Sequence, residues 1–84
     1  MSYYVYVLKS CVREKFYIGC TSDLRKRLVA HNAGRTKSTK PFRPWKLIYS
    51  ESFVDKGEAY KREWYLKHPR GYLEKLKIIK GGVA

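Results

Sequence analysis

The sequence predicts a small α+β fold, a three-stranded antiparallel sheet with flanking helices in the order ββαβαα. Two observations carry this prediction. Apolar residues alternate with a period of two in three short segments, and the period changes to about 3.6 after the second and the third of them. The chain of 84 residues also has the length of one small domain, which we expect to span residues 1–84.

The first two strands are predicted to form a β-hairpin. β-Branched and aromatic residues alternate over residues 3–10 and again over residues 16–20, and a polar stretch at 11–15 separates the two runs. The cysteines, Cys11 and Cys20, flank this turn. They lack Cys-x-x-Cys spacing and histidines at zinc-ligand spacing, so we expect free thiols.

Capping residues and helix breakers bound the remaining elements. The run Thr21-Ser22-Asp23 is typical of a helix start, and Gly34 is typical of a helix end. Residues 34–44 then form a loop that is rich in basic and hydroxyl side chains, and Trp45–Phe53 resumes the alternation of a strand.

A second helix is predicted between Asp55, which can cap it, and His68-Pro69, because the residue before proline avoids the helical region. A third helix is predicted over residues 72–80, where leucine and isoleucine recur every three positions.

The charge of the chain indicates a polyanionic partner. Nineteen Lys and Arg residues against seven Asp and Glu residues give a net charge of +12. Charge alone does not separate DNA from RNA, or binding from cleavage. No apolar run is long enough for a signal sequence or a membrane span, so we expect a cytoplasmic protein without membrane attachment.

Both longer helices place charged side chains on the face that should pack against the sheet. On the first helix, Arg27 and His31 fall on the stripe of Leu24 and Leu28. On the second, Glu63 falls with Lys67 inside an apolar arc formed by Ala59, Tyr60, Trp64 and Leu66. A buried carboxylate needs a partner or a cation. A partly buried Arg27–Glu63 salt bridge and a functional site both satisfy this requirement.

Two tyrosine tripeptides on the hairpin add to this pattern. Tyr4-Val5-Tyr6 lies on the first strand and Tyr17-Ile18-Gly19 on the second, and the run Thr21–Leu28 carries Arg27 ten positions after Tyr17. In these residues the chain resembles the GIY-YIG endonuclease superfamily, from about Tyr3 to Leu66. The resemblance implies a GIY-YIG-like fold and a divalent-metal-dependent endonuclease that hydrolyses phosphodiester bonds in DNA, with low intrinsic specificity and a role in DNA repair or processing.

The resemblance also implies roles for five catalytic residues. Glu63 would hold a single divalent ion, Mg²⁺ or Mn²⁺, and Arg27 would stabilise the charge of the transition state. One tyrosine, with Tyr6 preferred, would activate water, and Tyr17 would orient the water or the phosphate. His31 would relay a proton, contact a phosphate, or act only as a hydrogen-bonded packing residue.

Exposed basic side chains near this site are the expected phosphate contacts. They lie on the first helix and in the following loop, and they are Arg25, Lys26, Arg35, Lys37, Lys40 and Arg43. Gly19 is expected to leave room for backbone or substrate. DNA is the expected substrate, while RNA and a protein partner that supplies specificity remain open.

Two alternatives to an active nuclease remain. The chain could be a nucleic-acid-binding module with an aromatic hairpin as its stacking surface, or a degenerate nuclease that acts as an interaction subunit. The inward-facing Glu63 distinguishes a nuclease from a stacking module, because a metal site requires a carboxylate and a stacking surface does not.

Overall fold

The computed structural model describes residues 2–83 and has the predicted order of elements. The strands β1 (Tyr3–Ser10), β2 (Phe16–Thr21) and β3 (Trp45–Phe53) form one antiparallel sheet in the order β2-β1-β3. The helices are α1 (Leu24–Asn32), α2 (Lys56–Lys67) and α3 (Tyr72–Val83), and single turns of 3-10 helix occupy Lys40–Phe42 and Pro69–Gly71. The α+β class and the order ββαβαα are confirmed.

Side-chain caps begin α1 and α2 at the predicted places. Asp23 accepts a hydrogen bond from the Lys26 backbone N–H at 3.0 Å, and Asp55 accepts one from the Gly57 N–H at 2.7 Å. Gly34 follows the end of α1 with a φ of 77°, in the left-handed region that terminates many helices. These local signals therefore determine where the helices start and where α1 ends.

The central strand β1 is buried on both faces of the sheet. Val5 and Val7 belong to a core cluster that includes Ala59 and Leu66 of α2. The alternate residue Tyr6 belongs to a second cluster, which Leu24 and Leu28 of α1 cover on the other face (the other buried members are Leu8 and Trp45). Tyr6 is therefore an interior residue whose side chain faces α1.

The packing of α2 corrects one expectation from the sequence. Tyr60 and Trp64 were assigned to the inward arc, but they are 51% and 58% exposed. Only Ala59 and Leu66 of this helix are buried. Ala59, Arg62 and Leu66 form the inward stripe of this 12-residue helix. The stripe is narrow, so the two large aromatic residues on the opposite side of the helix remain at the surface.

An ion-pair network anchors α2 to its neighbours. Arg62 donates hydrogen bonds to both carboxylate oxygens of Glu51 on β3, each at 2.8 Å, and a further one to Glu74 on α3 at 2.5 Å. The guanidinium holds the pKa of the Glu51 carboxyl below its ordinary value. The network fixes the position of α2 relative to the sheet, and with it the position of Glu63.

Within residues 2–83, no helix is both long and apolar enough to cross a bilayer. Cys11 is exposed, Cys20 is half-buried, and both are free thiols, as expected.

Candidate active site

The register of the hairpin brings the two tyrosines together on one face of the sheet. Tyr6 pairs with Gly19, and Leu8 pairs with Tyr17, so Tyr17 lies diagonally across from Tyr6. The centroids of the two tyrosine rings are 6.2 Å apart. The two tripeptides therefore present their phenols to the same region.

Gly19 makes room for the ring of Tyr6. A Cβ atom at position 19 would lie 2.6 Å from Cζ of Tyr6 and 3.0 Å from Cε2 of Tyr17, and it would overlap the Tyr6 hydroxyl. The Tyr6 phenol fills the space that a side chain at position 19 would occupy. From the sequence, we expected backbone or substrate to occupy this space. Gly19 thus allows Tyr6 to lie flat against β2.

Two side chains of α1 contact the Tyr6 hydroxyl. Nε of Arg27 donates to it at 3.3 Å, and Nε2 of His31 lies 3.0 Å from it. Arg27 and His31 are four residues apart, which places them one above the other on the same helix face. His31 is fully buried, and its ring centroid lies 4.7 Å from that of Tyr17.

The hydrogen bonds around His31 assign its tautomer. The Thr39 hydroxyl donates its one proton to the carbonyl oxygen of Thr36 at 3.3 Å, so it accepts from Nδ1 of His31, which is 2.9 Å away. Nε2 is then unprotonated and accepts the proton of the Tyr6 hydroxyl. The bonds form one directed chain, from Arg27 through Tyr6 and His31 to Thr39.

Burial controls the protonation of this chain. It raises the pKa of Tyr6 to about 12, although the hydrogen bond from Arg27 acts in the opposite direction. Burial, with a further contribution from the Arg27 charge, lowers the pKa of His31 below its ordinary value. Near neutral pH, Tyr6 therefore keeps its proton and His31 is a neutral acceptor.

Glu63 lies on α2, which packs on the face of the sheet opposite to Tyr6 and α1. Its side chain is 19% exposed, and its carboxylate lies 2.8 Å from Nζ of Lys67. That ammonium lies 5.8 Å from the ring centroid of Tyr17. The negative charge of Glu63 also contributes to the raised pKa of Tyr6. The ion pair of Glu63 is with Lys67, so the described residues do not form the Arg27–Glu63 salt bridge considered from the sequence.

The site offers a single carboxylate for a metal ion. No group of three or more His, Cys, Asp and Glu side chains converges anywhere in residues 2–83. Mg²⁺ commonly keeps several waters and uses one or two carboxylates together with substrate phosphates. Glu63, an oxygen ligand with limited exposure, fits that mode of binding, and it does not fit a cage built by the protein alone.

The six basic residues predicted to contact phosphates are all exposed. Lys26 and Arg35 line a groove beside α1 that also includes Arg27. Lys37 and Lys40 lie on either side of Thr39, which the hydrogen bond to His31 holds at the site. Lys26 and Arg35 therefore lie beside Arg27, and Lys37 and Lys40 lie in the loop that carries Thr39.

Sequence reasoning did not identify three residues that organise the site. Thr39 orients His31, and Asn32 holds the start of β3 by accepting from the Trp45 backbone N–H at 2.6 Å and donating to its carbonyl at 3.0 Å. The indole N–H of Trp45 donates to the carbonyl of Thr39 at 2.8 Å. Thr39 and Asn32 lie in or beside a loop without periodicity, so no sequence signal identified them. Trp45 was predicted as the first residue of a strand, but its bond to Thr39 was not predicted.

The sheet order and the helices that flank it define a GIY-YIG-like fold. Residues 2–76 match the family described as the GIY-YIG catalytic domain, and the chain belongs to this family. Membership of the family indicates a nuclease, and a nucleic acid as its substrate.

Bacterial proteins designated UPF0213 are similar to this chain along most of its length. The UPF0213 protein of Lactococcus lactis subsp. cremoris is 41% identical over 83 residues, which cover 98% of this chain and 84% of the relative. A UPF0213 protein of Clostridium perfringens is 49% identical over 65 residues, 76% of this chain and 69% of the relative. The NMR structure of a UPF0213 protein from Bacillus halodurans has a TM-score of 0.56 and 34% identity, and the match covers 98% of this chain and 88% of that one.

Proposed function

We propose that the chain is a divalent-metal-dependent endonuclease that hydrolyses phosphodiester bonds in DNA. Its catalytic residues would be Tyr6, Tyr17, Arg27, His31 and Glu63. The hydrogen bonds of the Tyr6 hydroxyl are the strongest support, because this buried phenol donates to a neutral imidazole and accepts from a guanidinium. A phenol that only filled the core would need one polar partner, and this one has an acceptor and a cation.

Water activation is assigned to Tyr6 and His31 acting together. A phenol with a pKa of about 12 is a poor base by itself near neutral pH. It can take a proton from the attacking water while it gives its own proton to Nε2 of His31, which is 3.0 Å away. The imidazolium that results keeps its Nδ1–H bond to Thr39. The pair thus acts as a base without forming a free phenolate.

The other side chains act on the phosphate. Arg27 would neutralise charge on the non-bridging oxygens as the water oxygen bonds to phosphorus and the bond to the 3′ oxygen breaks. Tyr17 would orient the water or the phosphate. The leaving oxygen takes its proton from solvent.

Glu63 would hold the divalent ion, Mg²⁺ or Mn²⁺, together with water and the substrate phosphate. When bound, the ion would supply positive charge beside the reacting phosphate. The Lys67 ammonium forms an ion pair with one of the Glu63 oxygens at 2.8 Å, so it neutralises the carboxylate in the free protein.

Substrate affinity would come from the exposed basic residues of α1 and the loop. Such contacts bind phosphates and do not read bases, so the intrinsic specificity would be low. A role in DNA repair or processing, with a partner protein that directs the domain to its sites, agrees with such a nuclease.

The decisive experiment compares Glu63→Gln with Glu58→Gln. Both changes remove one carboxylate from α2, but Glu58 is exposed and pairs only weakly with Lys61, at 3.8 Å. Glu63→Gln should reduce metal-dependent cleavage on the order of 10³-fold or more and preserve DNA affinity. Glu58→Gln should change neither.

The assay uses supercoiled, branched and single-stranded DNA and RNA, with Mg²⁺, with Mn²⁺ and with a chelator. Equal cleavage by the wild-type protein and Glu63→Gln, including none by either, would remove the support for catalysis and favour a binding module.

A further inference from the structure

The outer face of α2 carries a row of residues at intervals of four: Lys56, Tyr60, Trp64 and His68. This spacing places them along one side of the helix and its C-terminal cap. Tyr60 is 51% exposed and Trp64 is 58% exposed. We call these four residues the α2 aromatic row. Neither core cluster includes them, and none of the catalytic roles proposed above uses them.

The rings of the α2 aromatic row are already arranged as flat surfaces. The rings of Trp64 and His68 stack, with centroids 4.4 Å apart and an interplanar angle of 26°. Nζ of Lys56 lies 5.7 Å from the ring centroid of Tyr60. Two neighbouring large aromatic residues on a surface helix are an exposed apolar patch of the kind that marks interaction sites.

The row borders the candidate active site. Glu63 directly precedes Trp64 in the chain. Lys67 lies one turn after Glu63, on the same side of the helix as Glu63. Lys67 lies three residues after Trp64, a spacing at which helix side chains are neighbours. Its Nζ lies 2.8 Å from the Glu63 carboxylate and 5.8 Å from the ring centroid of Tyr17, so Lys67 connects the row to the site. A strand whose phosphate lies at the site therefore has its adjacent nucleotides within reach of the row.

We propose that the α2 aromatic row is a stacking platform for unpaired bases of the nucleic acid strand that occupies the site. The net charge of +12 and the ammonium of Lys56 beside the Tyr60 ring favour an anionic occupant, and aromatic rings next to a cation suit the bases and phosphates of a single strand. A paired base has its faces covered by its neighbours in the duplex. The row therefore selects single-stranded or locally unpaired nucleic acid.

This inference rests on the proposed nuclease function for the position of the substrate, but its test does not require cleavage. Affinity is measured by fluorescence anisotropy in a chelator, with a labelled single-stranded DNA of mixed sequence and with the duplex of the same length. The variant is Tyr60→Ala/Trp64→Ala. The control is Tyr72→Ala, which removes a 53% exposed aromatic residue from α3.

The double variant should lose affinity for the single strand on the order of tenfold or more, and its affinity for the duplex should change less than about twofold. Its salt dependence should be unchanged, because no phosphate contact is removed. The single variant Trp64→Phe keeps an aromatic ring at this position, so it should keep most of the wild-type affinity for the single strand. Quenching of tryptophan fluorescence by the single strand should disappear in Trp64→Phe, because the other tryptophan, Trp45, is buried.

Equal losses on the single strand and the duplex, equal losses in Tyr72→Ala, or no loss at all would overturn the stacking platform. A Glu63→Gln protein that keeps the preference for the single strand but does not cleave supports both proposals. A wild-type protein that never cleaves but shows this preference, lost in the double variant, would sustain the platform and refute the nuclease.

Discussion

Oγ1 of Thr39 lies 2.9 Å from Nδ1 of His31, and both side chains are buried. With the threonine proton assigned to the carbonyl of Thr36, the threonine oxygen accepts from the imidazole. A loop residue thereby determines which nitrogen of a helix residue faces the Tyr6 phenol. This contact joins the basic loop to the hydrogen-bonded chain of the candidate site.

Replacing Thr39 with valine should reverse the tautomer of His31. Valine keeps the shape of threonine but removes the acceptor, and an unpaired buried N–H costs about 1–3 kcal/mol. The imidazole proton would move to Nε2, which could then no longer accept the proton of Tyr6. Cleavage should therefore fall on the order of 10²-fold. ¹⁵N NMR shifts of the His31 ring report the tautomer directly.

Thr39→Ser is the matched control, since it keeps the oxygen and should keep both the tautomer and most of the rate. If Thr39→Val leaves Nε2 unprotonated, the tautomer assignment is wrong, whatever the cleavage rate.

His31 should make the protein less stable as the pH falls from about 8 to about 5.5. Burial lowers the pKa of this imidazole, so below its ordinary pKa of 6.5 the unfolded chain binds the proton more readily than the folded one. The free energy of unfolding, measured with urea at several pH values, should fall over this range. In His31→Gln the decrease should be smaller.

The carboxylates that pair with Arg62 affect the stability of the protein in a lower pH range than His31 does. Arg62 lowers the pKa values of Glu51 and Glu74 from 4.5, so the stability that they contribute is present above that value and is lost as the pH falls further. A loss of stability that occurs only below about pH 4.5 in the wild-type protein would contradict the role given to His31.

Gly19→Ala should displace Tyr6. The new Cβ would lie 2.6 Å from Cζ of a buried ring whose hydroxyl is already bound to His31, so the ring must move. We expect a loss of about 1–3 kcal/mol in the free energy of unfolding and a loss of cleavage.

The control is Gly81→Ala, where no atom lies within 4 Å of the new Cβ. Because position 81 is helical, alanine should raise the free energy of unfolding by up to about 1 kcal/mol. Equal unfolding free energies for the two variants would show that Gly19 has no packing role.

The sequence was sufficient to predict the order of elements because each boundary has a local cause. Alternation of apolar residues defines the strands, and the side-chain caps Asp23 and Asp55 define two helix starts. The same reasoning placed Arg27 and His31 on the inner face of α1, where the structure has them.

The burial of residues whose position depends on long-range packing could not be predicted from local sequence signals. Thr39 lies in a loop whose polar composition suggests a fully solvated segment, yet it is 1% exposed because Trp45 and His31 both bond to it. Trp64 was placed inside because hydrophobicity alone does not tell how wide a buried stripe is. The inward stripe of α2 is formed by Ala59, Arg62 and Leu66, which leaves Trp64 on the opposite side of the helix.

The basic loop should contribute charge and no base recognition to DNA binding. Lys37 and Lys40 are exposed and flank Thr39, which bonds to His31, so we expect a strand bound at the site to pass close to them. Each phosphate contact releases about 0.9 counterions, so Lys37→Ala/Lys40→Ala should weaken binding and reduce the slope of log affinity against log salt by about two. The loss should be the same for unrelated sequences, because phosphates carry no base information.

The control is Lys77→Ala/Lys80→Ala, which removes two exposed lysines of α3, a helix that packs with β3 and α2 away from the α1 face. Binding is measured in a chelator over a range of salt concentrations. A slope that is unchanged in the loop variant, or reduced equally in the α3 variant, would exclude the loop as the specific phosphate-binding surface.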